Sequence, residues 1–308
     1  MESILEVERL VKKYGSFTAL DGISFRIPKG RVIGLLGPNG AGKTTTIQML
    51  LGITTHTSGD IKYFGKDFVK FREISLKRIN FASAFNTLQG RITVWENLII
   101  FAMLYGVKNP EKKIKELSNY FEMTELLNQV YWNLSAGQRT RVNIIKSLVN
   151  DPDLILMDEP TASLDPDIAD KTLSLIEELK KTRDLSILFT SHDMKEVTRI
   201  CDEVIFLDHG RIVAQDTPIG LTKRIDTADV YITFDGEKEL IEKSLQRQNE
   251  NFTFVTKNIV SIHSQEKNIP KLIFSVNKLN IEITDIEIKK PTLEDVFLQI
   301  ARRESDAT

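Results

Sequence analysis

The stretch Gly37-Pro38-Asn39-Gly40-Ala41-Gly42-Lys43-Thr44 constrains this chain more than any other. It has the spacing G-x-x-x-x-G-K-[ST], follows the apolar run Arg31-Val32-Ile33-Gly34-Leu35-Leu36 and opens a helical stretch from Thr45 to Leu51. Glycines let successive backbone N–H groups converge on phosphate oxygens, and the start of the helix adds the positive end of its dipole. In that setting Lys43 reaches the β- and γ-phosphates of a nucleotide, and the Thr44 hydroxyl is placed to bind Mg²⁺. A buried strand that ends in such a loop and feeds a helix belongs to an α/β sheet.

The rest of residues 1–220 agrees with that class, alternating apolar strand-like runs with helical stretches in the manner of a parallel sheet. Asp153 to Asp158 and Leu185 to Thr190 read as two further buried strands, each ending in polar residues. Open α/β sheets gather their ligands at such carboxyl ends. Ile168, Thr172, Leu175 and Leu179 share one helix face by spacings of three and four. From about residue 90 to 150 the periodicity is helical, over Thr93–Val107, Pro110–Gln129 and Ser135–Val149, which predicts a helical insertion. Residues 221–308 change character: strand, helix, two strands, helix, strand, then a last helix from Thr292, the pattern of a small ferredoxin-like α+β domain.

Asp158 ends its strand and Glu159 follows. Beside a phosphate loop, the first acid is positioned to hold Mg²⁺ and the second to face the γ-phosphate; alone, they would read as solvated carboxylates at a strand end. Composition narrows the partners. Lys+Arg 41 against Asp+Glu 43 leaves a net charge of -2, which argues against sequence-blind binding to nucleic acid. The one cysteine, Cys201, allows no internal disulfide and fits a reducing cytosol. The most apolar run, Leu98 to Val107, falls far short of the ~20 residues that span a bilayer. Any transport by such a chain needs a channel from a partner.

Upstream of the Asp158 strand by one helix stands Leu134-Ser135-Ala136-Gly137-Gln138. Locally, Ser135 and Gln138 make a capping box. Together with the phosphate loop and the paired acids, in this order, the pentad resembles the signature of the ABC ATPases, usually Leu-Ser-Gly-Gly-Gln. The resemblance covers roughly residues 4–220. It implies a P-loop ATPase of ABC type that binds ATP with Mg²⁺ and closes as a dimer, homodimer or heterodimer of related chains. The helix tip of Ser135, Ala136, Gly137 and Gln138 then meets the γ-phosphate held by the opposite copy. It further implies that Glu159 polarises the attacking water, His192 contacts the γ-phosphate, Asp165 lies in the loop crossing the interface, and Tyr14 stacks on adenine. Each has a plainer role beside it: His192 as a structural histidine, Asp165 before Pro166 as a helix N-cap, Tyr14 as edge packing.

One position departs from the family pattern. Ala84 falls where a glutamine normally ligates Mg²⁺ and senses the transmembrane partner; Asn86, Gln89 or a water are the alternatives. The C-terminal ending Pro291 to Leu298 resembles ATPases of drug, lipid or polysaccharide exporters, implying a transmembrane permease and a peripheral site on the cytoplasmic face of the membrane. The rival readings are an ABC ATPase acting on ribosomes or DNA, and a P-loop kinase or GTPase, which leaves the pentad unexplained.

Overall fold

The computed structural model describes residues 2–83, 87–162, 164–279 and 281–305, which form two compact units, Met1–Pro218 and Ile219–Thr308. The first opens with β1 (Ser3–Tyr14) and β2 (Phe17–Pro28), then β3 (Val32–Leu36) and α1 (Lys43–Leu50). Next come β4 (Ser58–Tyr63), β5 (Lys66–Asp67), α2 (Arg72–Leu76) and β6 (Ile79–Ser83). The purely parallel sheet expected here is not what forms. β1 and β2 are joined by the two residues Gly15 and Ser16, too few for the crossover a parallel pair requires, so they pair antiparallel and with β4 and β5 make a sheet of order β2-β1-β4-β5.

Three helices follow, α3 (Val94–Leu104), α4 (Pro110–Tyr120) and α5 (Ala136–Leu148), with α5 packed on β6 and on α3. The helix expected to run from Pro110 to Gln129 stops at Tyr120. Glu122 takes a left-handed φ of 56° and the Met123 N–H donates to the Ser118 carbonyl at 2.7 Å, the bond that closes a helix C-terminus. The second half of the sheet is β7 (Leu154–Asp158), α6 (Pro166–Arg183), β8 (Ser186–Thr190), α7 (Met194–Ile200), β9 (Glu203–Asp208) and β10 (Arg211–Asp216). On α6 the buried face is Thr172, Leu173, Ile176 and Leu179, while the Leu175 placed on it by spacing is half-exposed.

The six-stranded sheet runs β10-β9-β3-β8-β7-β6, parallel except for β10. Every residue of β3 and β8 is buried, as a strand covered on both faces must be. One core, including Leu5, Ile27, Ile33, Leu50, Tyr63 and Leu188, joins the two sheets through α1. Because β8 lies between β3 and β7, the carboxyl ends of all three strands open side by side.

Lys146 on α5 is 5% exposed; its ammonium donates to the Phe81 carbonyl of β6 at 2.6 Å and sits 5.4 Å from the Phe101 ring centre. Burial pushes it down to about 8 from the ordinary 10.5. Below pH 8 both folded and unfolded chains hold this proton, and the fold carries the cost of burying it. Between pH 8 and 10.5 only the unfolded chain does, so this group's contribution to stability rises with pH, by about 3 kcal/mol at most. We expect the stability difference between wild type and Lys146→Met to move in the wild type's favour from pH 7 to 10 in thermal melts; a pH-independent difference would contradict this.

Past α8 (Pro218–Thr222), the second unit runs β11 (Thr227–Asp235), α9 (Lys238–Arg247), β12 (Asn251–Phe254), β13 (Ile259–Gln265), α10 (Ile269–Asn277), β14 (Glu282–Lys289) and α11 (Leu293–Ser305). Its antiparallel sheet has order β12-β13-β11-β14. Alternate residues of β11, namely Ala228, Val230, Ile232 and Phe234, bury against Ile241, Leu245, Leu272 and Val276 of α9 and α10. Among the described residues no helix is long and apolar enough to cross a membrane.

Candidate functional site

The loop between β3 and α1 takes its shape from two glycines. Gly37 has φ 152°, and a Cβ there would fall 2.0 Å from the Leu207 carbonyl oxygen; at Gly42, φ 108°, it would meet the Ala19 carbonyl oxygen at 2.8 Å. Pro38, Asn39 and Gly40 form the partly to fully exposed tip, and Ala41 beneath it is buried, its carbonyl accepting the Gly210 N–H at 3.1 Å. Gly42 caps α1 without any side-chain bond, so no side chain takes up the N–H groups of the first turn, which carries Thr44 exposed and Thr45 half-buried. The Lys43 ammonium folds back across the loop, donating to the Gly37 carbonyl at 2.6 Å and the Pro38 carbonyl at 3.1 Å. Burial holds it below the usual lysine range, an effect that the carboxylates of Glu159 and Asp158 partly offset. Loop and acids therefore sense one another electrostatically.

The acids are fixed by β8. Asp158 pairs in register with Thr190, whose hydroxyl donates to the Asp158 carboxylate at 2.6 Å. The same hydroxyl and the Thr190 carbonyl accept the Glu159 N–H, at 3.0 and 3.1 Å. Glu159 has φ 47°, a left-handed backbone uncommon for a side-chain-bearing residue and typical of strained site positions. Its carboxylate lies 3.3 Å from Nδ1 of His192, whose ring is largely exposed. A cavity of about 490 Å³ opens beside both, lined also by Thr161, Ser191, Lys195 and Glu196.

Lys43, Asp158, Glu159 and His192 are thus brought together in one chain. The pentad stands at the start of α5. Ser135 closes the capping box, accepting the Gln138 N–H at 3.3 Å while the Gln138 carboxamide oxygen accepts the Ser135 N–H at 2.8 Å. This end of α5, with Ala136 exposed, packs on α6: a Cβ on Gly137 would come 2.5 Å from Cγ2 of Ile168. Asp165 is the N-cap of α6 with Pro166 in the first turn, as the plain reading expects, but caps through its backbone carbonyl and makes no side-chain capping bond. Tyr14, at the end of β1, is 48% exposed with the Lys12 ammonium 4.7 Å over its ring, which is not edge packing.

Ala84 and Asn86 lie outside the described residues. Gln89 has its backbone held by Asn97, whose carboxamide accepts the Gln89 N–H and donates to its carbonyl, both at 2.9 Å. Thr190, which carries the geometry of both acids, belongs to no motif that marks it in the sequence. A threonine at the end of a buried strand offers no signal until the register is known.

Residues 20–162 match the family described as ABC transporter. The linearmycin resistance ATP-binding protein of Bacillus subtilis is 32% identical over 309 residues, 97% of this chain and 99% of that one. Nod factor export ATP-binding protein I of Ralstonia nicotianae is 39% identical over 237 residues, 74% of this chain and 72% of its own length. Among solved structures, cbiO1 from Clostridium perfringens, described as part of the ABC transporter complex cbiONQ, superposes with TM-score 0.66 at 28% identity, over 81% of this chain and 97% of that one.

Proposed function

The chain belongs to the ATP-binding proteins of ABC transporters, and on that premise we propose that it is the motor of an exporter, pairing with a second ATPase subunit around two MgATP and driving a separate transmembrane permease. The observation that carries this reading is the convergence of Lys43, Asp158, Glu159 and His192 at the carboxyl ends of β3, β7 and β8.

ATP is the substrate. The N–H groups at the start of α1 and the Lys43 ammonium bind its phosphates, and the exposed Tyr14 ring receives the adenine. The Thr44 hydroxyl and the Asp158 carboxylate are hard oxygen donors of the kind Mg²⁺ takes. When bound, Mg²⁺ offsets charge on the phosphate oxygens. Glu159 orients the attacking water and accepts its proton, and His192 donates to the γ-phosphate. The Ser135–Gln138 helix tip and Asp165 act on the nucleotide held by the opposite subunit, as the resemblance of the pentad to the family signature implies.

Residues 1–220 form the ATPase domain in this reading, with its helical subdomain from about 90 to 150, and residues 221–308 an accessory domain that regulates or strengthens pairing. Export, rather than uptake, is supported by the names of two relatives, one of linearmycin resistance and one of Nod factor export. The relatives reported above carry resistance, export or transporter names, so the ribosome- or DNA-acting alternative has no observation in its favour. The chain is then cytoplasmic and peripheral on the membrane.

Tagged chain expressed in its own host and recovered from detergent-solubilised membranes tests this. It is expected to bring down a protein with several hydrophobic spans, and its ATP turnover is expected to change when that protein is present. Recovery with ribosomes or nucleic acid, and no membrane protein, would contradict the proposal.

A further inference from the structure

A second group of polar side chains, all buried, lines the same cavity as Glu159 and His192. Glu196 stands three residues after Asp193, the N-cap of α7, and Asp193 takes up the Lys195 N–H at 2.8 Å. At that spacing a glutamate ordinarily turns back to accept the N-cap N–H. Here Ser191 Oγ accepts the Asp193 N–H instead, at 3.0 Å, leaving the glutamate to reach elsewhere. One oxygen, Oε2 of Glu196, accepts both the Ser191 hydroxyl at 2.7 Å and the Thr161 hydroxyl at 2.8 Å. All three residues are at most 9% exposed.

Ser191 immediately precedes His192, and Thr161 stands two residues after Glu159 with Pro160 between. The loop carrying the water-orienting carboxylate and the loop carrying the histidine are therefore tied to a single buried oxygen. Removing such an acceptor leaves two buried hydroxyls without their shared partner, and the loops relax to satisfy them.

We propose that Glu196 is a positioning residue for ATP hydrolysis, clamping Thr161 and Ser191 so that Glu159 and His192 keep their spacing. It touches neither nucleotide nor reacting water. This rests on the roles given to Glu159 and His192 above. Because the phosphate loop is held by other contacts, the clamp acts on the chemical step and not on binding.

Steady-state kinetics and nucleotide binding on the full chain separate the possibilities. Glu196→Ala is expected to lower kcat about 10- to 100-fold, as loss of catalytic alignment does, with ATP affinity within about twofold of wild type. Glu196→Gln keeps a carbonyl oxygen able to accept both hydroxyls, and is expected to restore most of kcat. Thr161→Val, which deletes one hydroxyl and little volume, is expected to lower kcat in the same direction and to add little to Glu196→Ala in the double variant. Unchanged kcat in Glu196→Ala, or kcat and ATP affinity falling together in both Glu196 variants, would overturn the clamp. Should Glu196→Ala not fold, Thr161→Val decides alone: full kcat overturns the proposal, and reduced kcat at unchanged affinity supports it. A wild-type rate in Glu159→Gln would instead overturn the assignment beneath it, which keeps the two failures apart.

Discussion

Glu159→Gln abolishes steady-state ATP turnover, a loss of about 10²- to 10⁴-fold, the range expected when a positioned general base is removed. The argument starts from the backbone. Glu159 is held at φ 47° by two acceptors on Thr190, and neither contact involves its own side chain. Glutamine has the same length and leaves those contacts in place, so the substitution removes a basic carboxylate beside His192 without moving the loop. Lys43, Thr44 and the start of α1 are untouched, and ATP affinity is expected to stay within about threefold of wild type, since each tenfold in affinity needs about 1.4 kcal/mol. Rate and affinity measured on one preparation check both halves. Turnover at the wild-type rate would show that another group orients the water.

The second large effect is at Lys43. In Lys43→Ala, ATP affinity is expected to fall about 10- to 100-fold, the equivalent of about 1.5–3 kcal/mol for charge-assisted hydrogen bonds, and turnover at moderate ATP falls with it. Without nucleotide the ammonium is spent on two loop carbonyls, Gly37 and Pro38, while burial works against its charge. A phosphate entering the loop gives that charge a direct counter-ion, where Glu159 and Asp158 act on it through space. The substitution should therefore show in ligand affinity more than in the fold. Calorimetric titration with ATP reads the first and a thermal melt without nucleotide the second. Unchanged affinity would remove Lys43 from the phosphate site.

These expectations differ from the Glu196 clamp in what they report. Lys43 governs binding, Glu159 chemistry at constant binding, and Glu196 the alignment of groups that never leave the protein. The three variants form a graded set in which only Lys43→Ala moves affinity. A general loss of folding would move all three alike.

Much of this site is legible in the sequence because its motifs are local. The phosphate loop is one turn, and the acid pair sits at the end of a run whose apolar character alone marks a strand. The order of motifs then gave the family. Long-range register was not legible. Thr190 matters because β8 pairs with β7 so that it faces Asp158, and no local pattern reports which strands become neighbours. Glu196 was hidden for a related reason: its spacing from Asp193 suggests a carboxylate turned onto its own helix, and only the fold brings Thr161 within reach. Alternation of strands and helices farther along suggests a parallel sheet throughout, although the two-residue link between β1 and β2 excludes a parallel pair there. In the second unit, alternation along β11 and the helical spacing of α10 were strong enough to give the order of elements.

The proposal rests on a division of labour between two parts of one chain, the lysine loop with its acids and the α5 tip with Asp165, which act on the nucleotides of opposite subunits. The direct test is the mass of purified Glu159→Gln protein by sedimentation equilibrium, with and without saturating MgATP, and with its permease partner added if the chain alone gives no shift. The account predicts a monomer without nucleotide and a dimer holding two ATP with it. A species that binds MgATP and stays monomeric under every one of these conditions would contradict it.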